Sequence, residues 1–363
     1  MQNAERRAWL RLCLTEGVSP GAARGLLAAF GLPHTIFEAG HAALARVAGG
    51  AVAQALSAPE PTDAIEHAMA WLDSDASRSL LTLADADYPA LLLHLTDPAP
   101  LLYLQGRREL LNRPALAIVG SRSASRQGEA NAEAFAAHLA ACGLTIVSGL
   151  ARGIDSAAHR GALQAEAATI AVLGTGADIV YPSSNRALSD RIAQQGLLVS
   201  EYPLGTPAIP HNFPRRNRLI AAAARGVLVV EAALPSGSLI TARLAAELGR
   251  EVMAIPGSIH SPLTRGCHQL IRDGARLVES AQDVLQELRI EAVQLPCTAS
   301  SDRATRHEAD LLQAVGFDPV DLDTLAQRTG IAPGPLSARL LQLELTQDVE
   351  RLAGNCYQRL RRS

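Results

Sequence analysis

The residues in this chain best suited to chemistry are arginines set in short runs of glycine and serine. The runs are Val119-Gly-Ser-Arg-Ser-Ala-Ser125, Ser148-Gly-Leu-Ala-Arg-Gly-Ile-Asp155 and Leu234-Pro-Ser-Gly-Ser-Leu-Ile-Thr-Ala-Arg243. Gly120, Gly149 and Gly237 allow tight turns or close backbone approach. Ser121, Ser125, Ser148, Ser236 and Ser238 offer hydroxyls and caps, and Arg122 and Arg152 can each fork two hydrogen bonds onto one phosphate. One such loop alone is ordinary strand-to-helix turn chemistry, with Asp155 expected as a helix cap. Three on one sheet edge point to several phosphates in a row. The strongest charge signal is Asn212-Phe-Pro-Arg-Arg-Asn-Arg218: four arginines and no carboxylate lie between residues 211 and 225. Repulsion among Arg215, Arg216 and Arg218 calls for an anionic partner or full solvation. Pro214 is expected at a helix start, which puts Arg215 and Asn217 near free amides.

Enzymatic constellations are harder to find. All 33 cationic residues are arginine, so Schiff-base, Walker and kinase lysines are excluded. The histidines at 138, 159, 211, 260 and 268 show no H-E-x-x-H spacing, and no G-x-S-x-G elbow occurs. Glu201 and Glu231 stand at strand ends as possible bases, without an identifiable nucleophile. His159 is expected to satisfy a local hydrogen bond. G-x-G-x-x-G is missing after the first strand of the alternating region, and Ser148-Gly149 stands where a ribose-binding carboxylate would be needed, which argues against NAD. No cofactor is expected. The five cysteines are scattered without a C-x-x-C pair, which fits a reducing cytosol better than a zinc site or a disulfide framework.

These loops need elements to hold them. A chain of 363 residues, 48% hydrophobic and 19% charged, has enough apolar content for a sizeable core and is long enough for two or three domains. Strands are expected at 115–119, 144–147, 169–173, 197–200, 227–231, 251–255 and 276–278, most of them separated by helical stretches. That alternation predicts a doubly wound, mostly parallel α/β sheet whose ligands lie beyond the strands' carboxyl ends. Residues 1–75 read as an Ala/Leu-rich helical module, with a helix-hairpin-helix outline over 16–33 and a helix from about Thr62 to Ser74 capped by Thr62 or Asp63. Residues 76–290 form the sheet core, and 291–304 have linker composition. Residues 305–363 read as three helices (307–315, 322–329 and 336–345) and a hairpin turning at Gly354-Asn355, the outline of a winged helix. No stretch reaches the roughly 18 apolar residues of a membrane span, and arginines interrupt the N-terminal apolar run, so a cytoplasmic protein is expected.

The net charge of −3 hides an uneven distribution. Residues 105–290 hold 19 arginines against 15 acids, while both flanking segments are net acidic. An anionic partner is therefore expected on the core. The C-terminal module carries 8 arginines and 8 acids from 303 onward, and its third helix offers only Arg339 beside Glu344. That balance fits protein contact or structural support better than duplex reading. Aromatics make up 3% of the chain, too few for a long stacking platform, though Phe213, Tyr181 and Tyr202 follow strands on the expected edge. Tyr181 and Tyr202 fit the edge of the core more simply.

Seven ordered strings resemble the DNA-processing protein A (DprA/Smf) family: Ala117-Ile-Val-Gly-Ser-Arg122; Val147-Ser-Gly-Leu-Ala-Arg-Gly-Ile-Asp-Ser-Ala-Ala-His159; Ala171-Val-Leu-Gly-Thr-Gly176 with Tyr181-Pro182 and Asn185; Ser200-Glu-Tyr-Pro203; Phe213-Pro-Arg-Arg-Asn-Arg218; Ser236-Gly-Ser-Leu-Ile-Thr-Ala-Arg243; and Ile255-Pro-Gly257. The resemblance implies a Rossmann-like core between an N-terminal helix-hairpin-helix or SAM-like module and a C-terminal winged helix. It implies a non-enzymatic protein that binds incoming single-stranded DNA in natural transformation, protects it and loads the RecA recombinase, acting as a homodimer through the core. The DNA pocket would be lined by Gly120, Ser121, Arg122, Ser148, Gly149, Arg152, Phe213, Arg215, Arg216, Asn217, Arg218, Ser236, Gly237 and Ser238. Many relatives carry a lysine between the Tyr-Pro and the Asn of the third string. Here Ser183 and Ser184 stand there, so arginine supplies every cationic contact. Two other readings share the core: a nucleotide hydrolase of the lysine-decarboxylase-like type, which generally needs a glutamate near residues 232–246 where none occurs, and a protein-interaction adaptor acting through the winged helix.

Overall fold

The computed structural model describes residues 3–165, 167–290, 306–345 and 348–360. The expected linker at 291–304 lies outside them. Six helices open the chain: α1 (Asn3–Leu14), α2 (Pro20–Phe30), α3 (Pro33–Glu38), α4 (His41–Ala48), α5 (Gly50–Ser57) and α6 (Thr62–Asp73). Ser19 caps α2 by accepting from the Ala22 amide, and Pro20 occupies the first turn, where its missing N–H costs nothing. Helix α6 begins one residue earlier than a Thr62 cap would allow, with Pro61 at the N-cap.

The core follows as β1 (Arg78–Thr82), β2 (Leu101–Gly106), β3 (Ala115–Val119), α7 (Arg126–Ala141), β4 (Thr145–Ser148), α8 (Ile154–Gln164), β5 (Thr169–Val172), α9 (Arg186–Gln195) and β6 (Leu197–Ser200). It continues with α10 (Asn212–Ala222), β7 (Gly226–Val229), α11 (Gly237–Glu247), β8 (Glu251–Ala254), α12 (Arg265–Arg272), β9 (Arg276–Leu277) and α13 (Ala281–Glu287). The sheet order is β1-β2-β6-β5-β4-β3-β7-β8-β9. From β6 to β9 every neighbour is parallel, as the alternation predicted. Strands β1 and β2 were not foreseen. They extend the sheet antiparallel beside β6, with Tyr103 opposite Ser200.

Period-two alternation divides the core between the sheet's faces. Along β3, Ala115, Ala117 and Val119 join one buried cluster with α10 and α11, while Leu116 and Ile118 join another with α7 and α8. The helical module is anchored through Trp9, Ile65 and Trp71, which pack against Leu80, Leu101 and Tyr103 of the antiparallel strands. Trp71 meets Tyr103 edge-on at 6.1 Å, a contact worth about 0.5–1.5 kcal/mol beyond its burial.

The C-terminal unit comprises α14 (Arg306–Val315), β10 (Val320–Asp321), α15 (Leu322–Thr329), α16 (Pro333–Leu345), β11 (Val349–Leu352) and β12 (Cys356–Arg359), with the three strands in one sheet, a winged helix. Helix α16 starts at Pro333 instead of after a Pro-Gly-Pro turn, because first-turn residues need no amide donor. The hairpin does turn at Gly354-Asn355, both with positive φ.

Candidate nucleic-acid interface

The chain builds β3, β4, β5 and β6 outward in one direction, then crosses back to place β7 on the other side of β3. Strands β3 and β7 thus flank the switch point of the sheet, where a crevice opens beyond the carboxyl ends. The loop after β3 is pinned at both ends. The Ser121 amide donates to the Glu231 carbonyl at 2.7 Å, and the amide and hydroxyl of Ser125 donate to the Glu231 carboxylate at 2.9 and 2.6 Å. Ser125 also caps α7 by accepting from the Gly128 amide. Burial pushes the Glu231 carboxyl up, opposed by the two bonds from Ser125. Gly120 is required by packing: a Cβ there would sit 2.6 Å from the Ile154 side chain and 2.8 Å from the Glu231 carbonyl. Between the pinned ends, Arg122 and Ser123 are exposed.

The loop after β4 folds around a buried carboxylate. Asp155 does not cap its helix: Gly153, with φ +73°, is the N-cap, and Asp155 reaches back to accept from the Gly149 and Ala151 amides at 3.1 and 3.4 Å. Burial pushes the Asp155 carboxyl up, and the Arg216 charge opposes this. Leu150 holds a left-handed backbone, φ 57°, and Asn185 donates to its carbonyl at 2.9 Å and to the Ser156 hydroxyl at 2.9 Å. Asn185 therefore braces this loop from across the sheet edge, a role its spacing from Tyr181-Pro182 did not disclose. Ser148 is fully buried and its hydroxyl donates to the Ile118 carbonyl at 2.6 Å. Arg152 stands exposed at the loop tip.

Helix α10 starts two residues before Pro214, so the proline lies inside the first turn. Its arginines divide by burial. Arg215 is exposed, whereas Arg216 and Arg218 are 3% and 7% exposed. Arg216 donates to the carbonyls of Gly149, at 2.9 Å, and Val172, closing the carboxyl ends of β4 and β5. Burial lowers it to about 10, which leaves it charged at neutral pH. A Cβ on Gly149 would fall 2.6 Å from the Arg216 guanidinium and 2.8 Å from Asp155, so only glycine lets these groups face each other. Arg218 pairs with buried Glu201, whose carboxyl is pushed up by burial against the opposing charges of Arg218 and Arg215, and donates to the Asp97 carbonyl at 2.9 Å. The Ser148 hydroxyl and the Arg218 guanidinium, both expected at the rim, are thus turned inward. Their i, i+3 and i, i+4 neighbours explain it for the helix: Arg216 precedes Ile220 and Arg218 precedes Ala222 by one turn on the buried face.

The loop after β7 ends at Ser236, which caps α11 by accepting from the Ser238 amide. Asn217 donates to the Gly237 carbonyl at 3.2 Å, tying α10 to the start of α11. Around this junction lies a cavity of about 440 Å³ lined by Gly120, Ser121, Arg122, Phe213, Arg216, Asn217, Ser236, Gly237 and Ser238. Asp155 is its one carboxylate lining residue among the described residues. Arg215 lines a separate cavity on the other side of α10. Arg122 stands 5.5 Å from the Phe213 ring centroid, and Tyr181, 47% exposed, meets the same ring at 5.3 Å. Tyr202 is core, as expected, with its hydroxyl on the Asn212 carbonyl at 2.9 Å. Tyr181, whose position after a strand fitted the edge of the core more simply, is instead exposed against Phe213, because its cluster of partners at this edge is formed only by the fold.

The possible catalytic groups are engaged elsewhere. His159 is fully buried, bonded to the Thr169 hydroxyl at 2.7 Å and lowered by burial to about 3. Among the described residues no cluster of His, Cys, Asp or Glu is arranged to hold a metal ion. No helix among them is long and apolar enough to cross a membrane.

The family model for DNA recombination-mediator protein A matches residues 79–289, and that for the DprA winged helix domain matches residues 296–355. Protein Smf of Escherichia coli K12 is 41% identical over 311 residues, covering 84% of this chain and 83% of its own. The DNA processing protein DprA of Streptococcus pneumoniae R6 is 50% identical over 206 residues, 57% of this chain and 73% of its own. The X-ray structure of the Streptococcus pneumoniae protein superposes with a TM-score of 0.68 at 39% identity, covering 77% of this chain and 97% of that one. A Helicobacter pylori DNA processing protein A, described for its single-stranded DNA binding mode, gives 0.54 at 32% identity over 58% of this chain and 95% of its own. With the core and the winged helix both matched, in a fold that agrees with solved relatives, the chain belongs to the DNA-processing protein A family.

Proposed function

We propose that this protein is a single-stranded DNA-binding recombination mediator that protects incoming DNA and loads the RecA recombinase onto it, without an enzymatic step or a cofactor. One observation carries the reading. The loops after β3 and β7 and the first turn of α10 surround a single cavity at the switch point, with Arg122 and Tyr181 both set against Phe213. Phosphates would lie against Arg122 and the Ser236–Ser238 turn, with Arg152 and Arg215 as flanking contacts, while one or two bases stack on Phe213 and Tyr181. Arg216 would act from the cavity floor as a fixed charge. Binding would tolerate sequence because the backbone supplies most of the affinity.

The single-stranded DNA binding mode described for the Helicobacter pylori relative and the recombination-mediator description of the matched family support this assignment. A second copy would pair along the β9 edge, where Leu277 is 43% exposed at the end of the sheet. Competence for natural transformation and a cytoplasmic location belong to the same proposal. The test is a salt titration of single-strand and duplex binding by the full chain. With Arg122, Arg152 and Arg215 on phosphates, the single-strand log–log salt slope should be about −2, with weaker duplex binding. A slope near zero, or a duplex preference, ends the reading.

A further inference from the structure

On the side of α10 away from the rim cavity lies a smaller one of about 200 Å³, where the helical module meets the sheet. Its walls are mostly apolar, with Val18 and Ala23 of the module opposite Leu101 and Pro203 of the core. Two buried polar side chains interrupt that lining. Tyr103 is 2% exposed and its hydroxyl takes no partner among the described residues. The Glu201 side chain is 5% exposed; Arg218 holds Oε2, and Oε1 takes no partner among the described residues. Buried polar atoms are rarely left so, because the desolvation cost goes uncompensated. Arg215 also lines this cavity and is exposed, and its chain neighbours Pro214 and Arg216 line the rim cavity. A strand bound at the rim and held by Arg215 would reach the second opening.

We propose that this second cavity takes one nucleobase of the bound strand and selects a base with an exocyclic amino group, cytosine among the pyrimidines. The inference rests on the single-stranded DNA reading above. The space is below the range of drug-sized pockets and suits a single ring. Apolar walls cover the ring faces, and Arg215 at the opening takes the adjoining phosphate. Glu201 Oε1 and the Tyr103 hydroxyl are sealed from solvent by their surroundings, so the two side chains shift to meet the base, Oε1 accepting from the cytosine N4 amino group and the hydroxyl donating to a ring acceptor. Thymine presents its O4 carbonyl in place of that amino group, setting two acceptors against each other.

The experiment compares the affinities of the full chain for oligo-dC and oligo-dT of equal length by fluorescence anisotropy. The two pyrimidines differ on the pairing edge and in the thymine C5 methyl, and oligo-dU, which lacks the methyl, should bind like oligo-dT if the pairing edge decides. Expected is a preference for oligo-dC of about tenfold, the discrimination of one good base-edge contact. Tyr103→Phe removes the hydroxyl and keeps the ring against Trp71. Cys13→Met fills the cavity with an unbranched chain, and an unchanged unfolding midpoint confirms that each variant is folded. In both variants the ratio should fall toward one. A parent ratio within about twofold, or a preference that survives both substitutions, overturns the proposal. Failure of the parent to bind either oligonucleotide overturns the single-stranded DNA reading itself.

Discussion

The floor and the rim of the crevice use the same residue type for opposite purposes. On the floor, Arg216 and Arg218 are buried, and their charges are committed to Gly149, Val172 and Glu201 and balanced by Asp155. Arg122 and Arg152 at the rim, and Arg215 beside it on the other side of α10, are exposed. A guanidinium taken out of water must find partners inside the protein, so it holds the fold and contributes only a fixed field. One left in water keeps its donors for a ligand. Adjacent positions on α10 can therefore differ completely in what their loss would do.

The largest effect expected from this division is on stability. Arg218→Ala leaves Glu201 buried without its counter-charge, and Arg216→Met does the same to Asp155. Each should lower the unfolding free energy by about 3–5 kcal/mol in urea titrations. Arg215→Ala should change it by less than about 0.5 kcal/mol. Equal effects at 215 and 216 would erase the distinction.

Deeper in the core, against Thr169 at the start of β5, lies a neutral imidazole, and pH tests the cost of a buried charge there. His159 lies at about 3 in the folded protein against an ordinary 6.5. Its folded value is the lower one, so its contribution to stability is complete above 6.5 and is lost as pH falls toward 3. At roughly pH 4.5 the loss should approach 3 kcal/mol. The buried carboxyls of Asp155, Glu201 and Glu231 are raised, and their contributions run the other way, lost as pH rises. The wild type must therefore be compared with His159→Gln, which removes the imidazole's part alone. Parallel stability–pH curves for the two proteins would show that His159 does not report burial in this way.

At the rim the expected effect moves from stability to affinity. Arg122→Ala should weaken single-strand binding by about 1.5–3 kcal/mol, the worth of a charged hydrogen bond, while leaving the unfolding midpoint in place. A filter-binding titration reads the first and a thermal melt the second. Unchanged affinity would remove Arg122 from the interface, and a lowered midpoint would move it to the floor.

Much of this arrangement could be read from the chain. Seven parallel strands stood out because Val, Ile and Ala runs alternate with helical stretches. Strands β1 and β2 did not, since Arg78-Ser-Leu-Leu-Thr82 and Leu101-Leu-Tyr-Leu104 are leucine-rich, and short leucine runs do not distinguish strand from helix. The rim loops were legible because glycine, serine and arginine keep their chemistry at the ends of strands. The inward turn of Arg218 was not, because its partners Glu201 and Asp97 come from distant segments that only the fold brings together. Helical spacing carried a partial signal: Arg216 lies one turn from Asn212 and Ile220, both buried. Charge density drew attention to the cluster without telling which members face water.

The smallest expected effect tests whether the interface ends at the core. The winged helix meets the core through the Arg126–Glu350 pair at 3.4 Å and along a groove where Phe317 and Pro319 stand opposite Ile255 and Pro256. None of its described residues lines the rim cavity. From residue 303 onward its arginines and acids are equal in number, and Arg339 is exposed on a helix that also carries Glu344. Such a unit brings no net attraction to a polyanion. Deleting residues 300–363 also frees Arg126, which is already 72% exposed and whose ion pair is worth little in water. The two changes are small, and single-strand affinity should shift by less than about 0.5 kcal/mol. A tenfold loss on deletion would place part of the DNA path on the winged helix and extend the rim beyond the sheet, whereas retained affinity assigns that unit to contacts other than the strand.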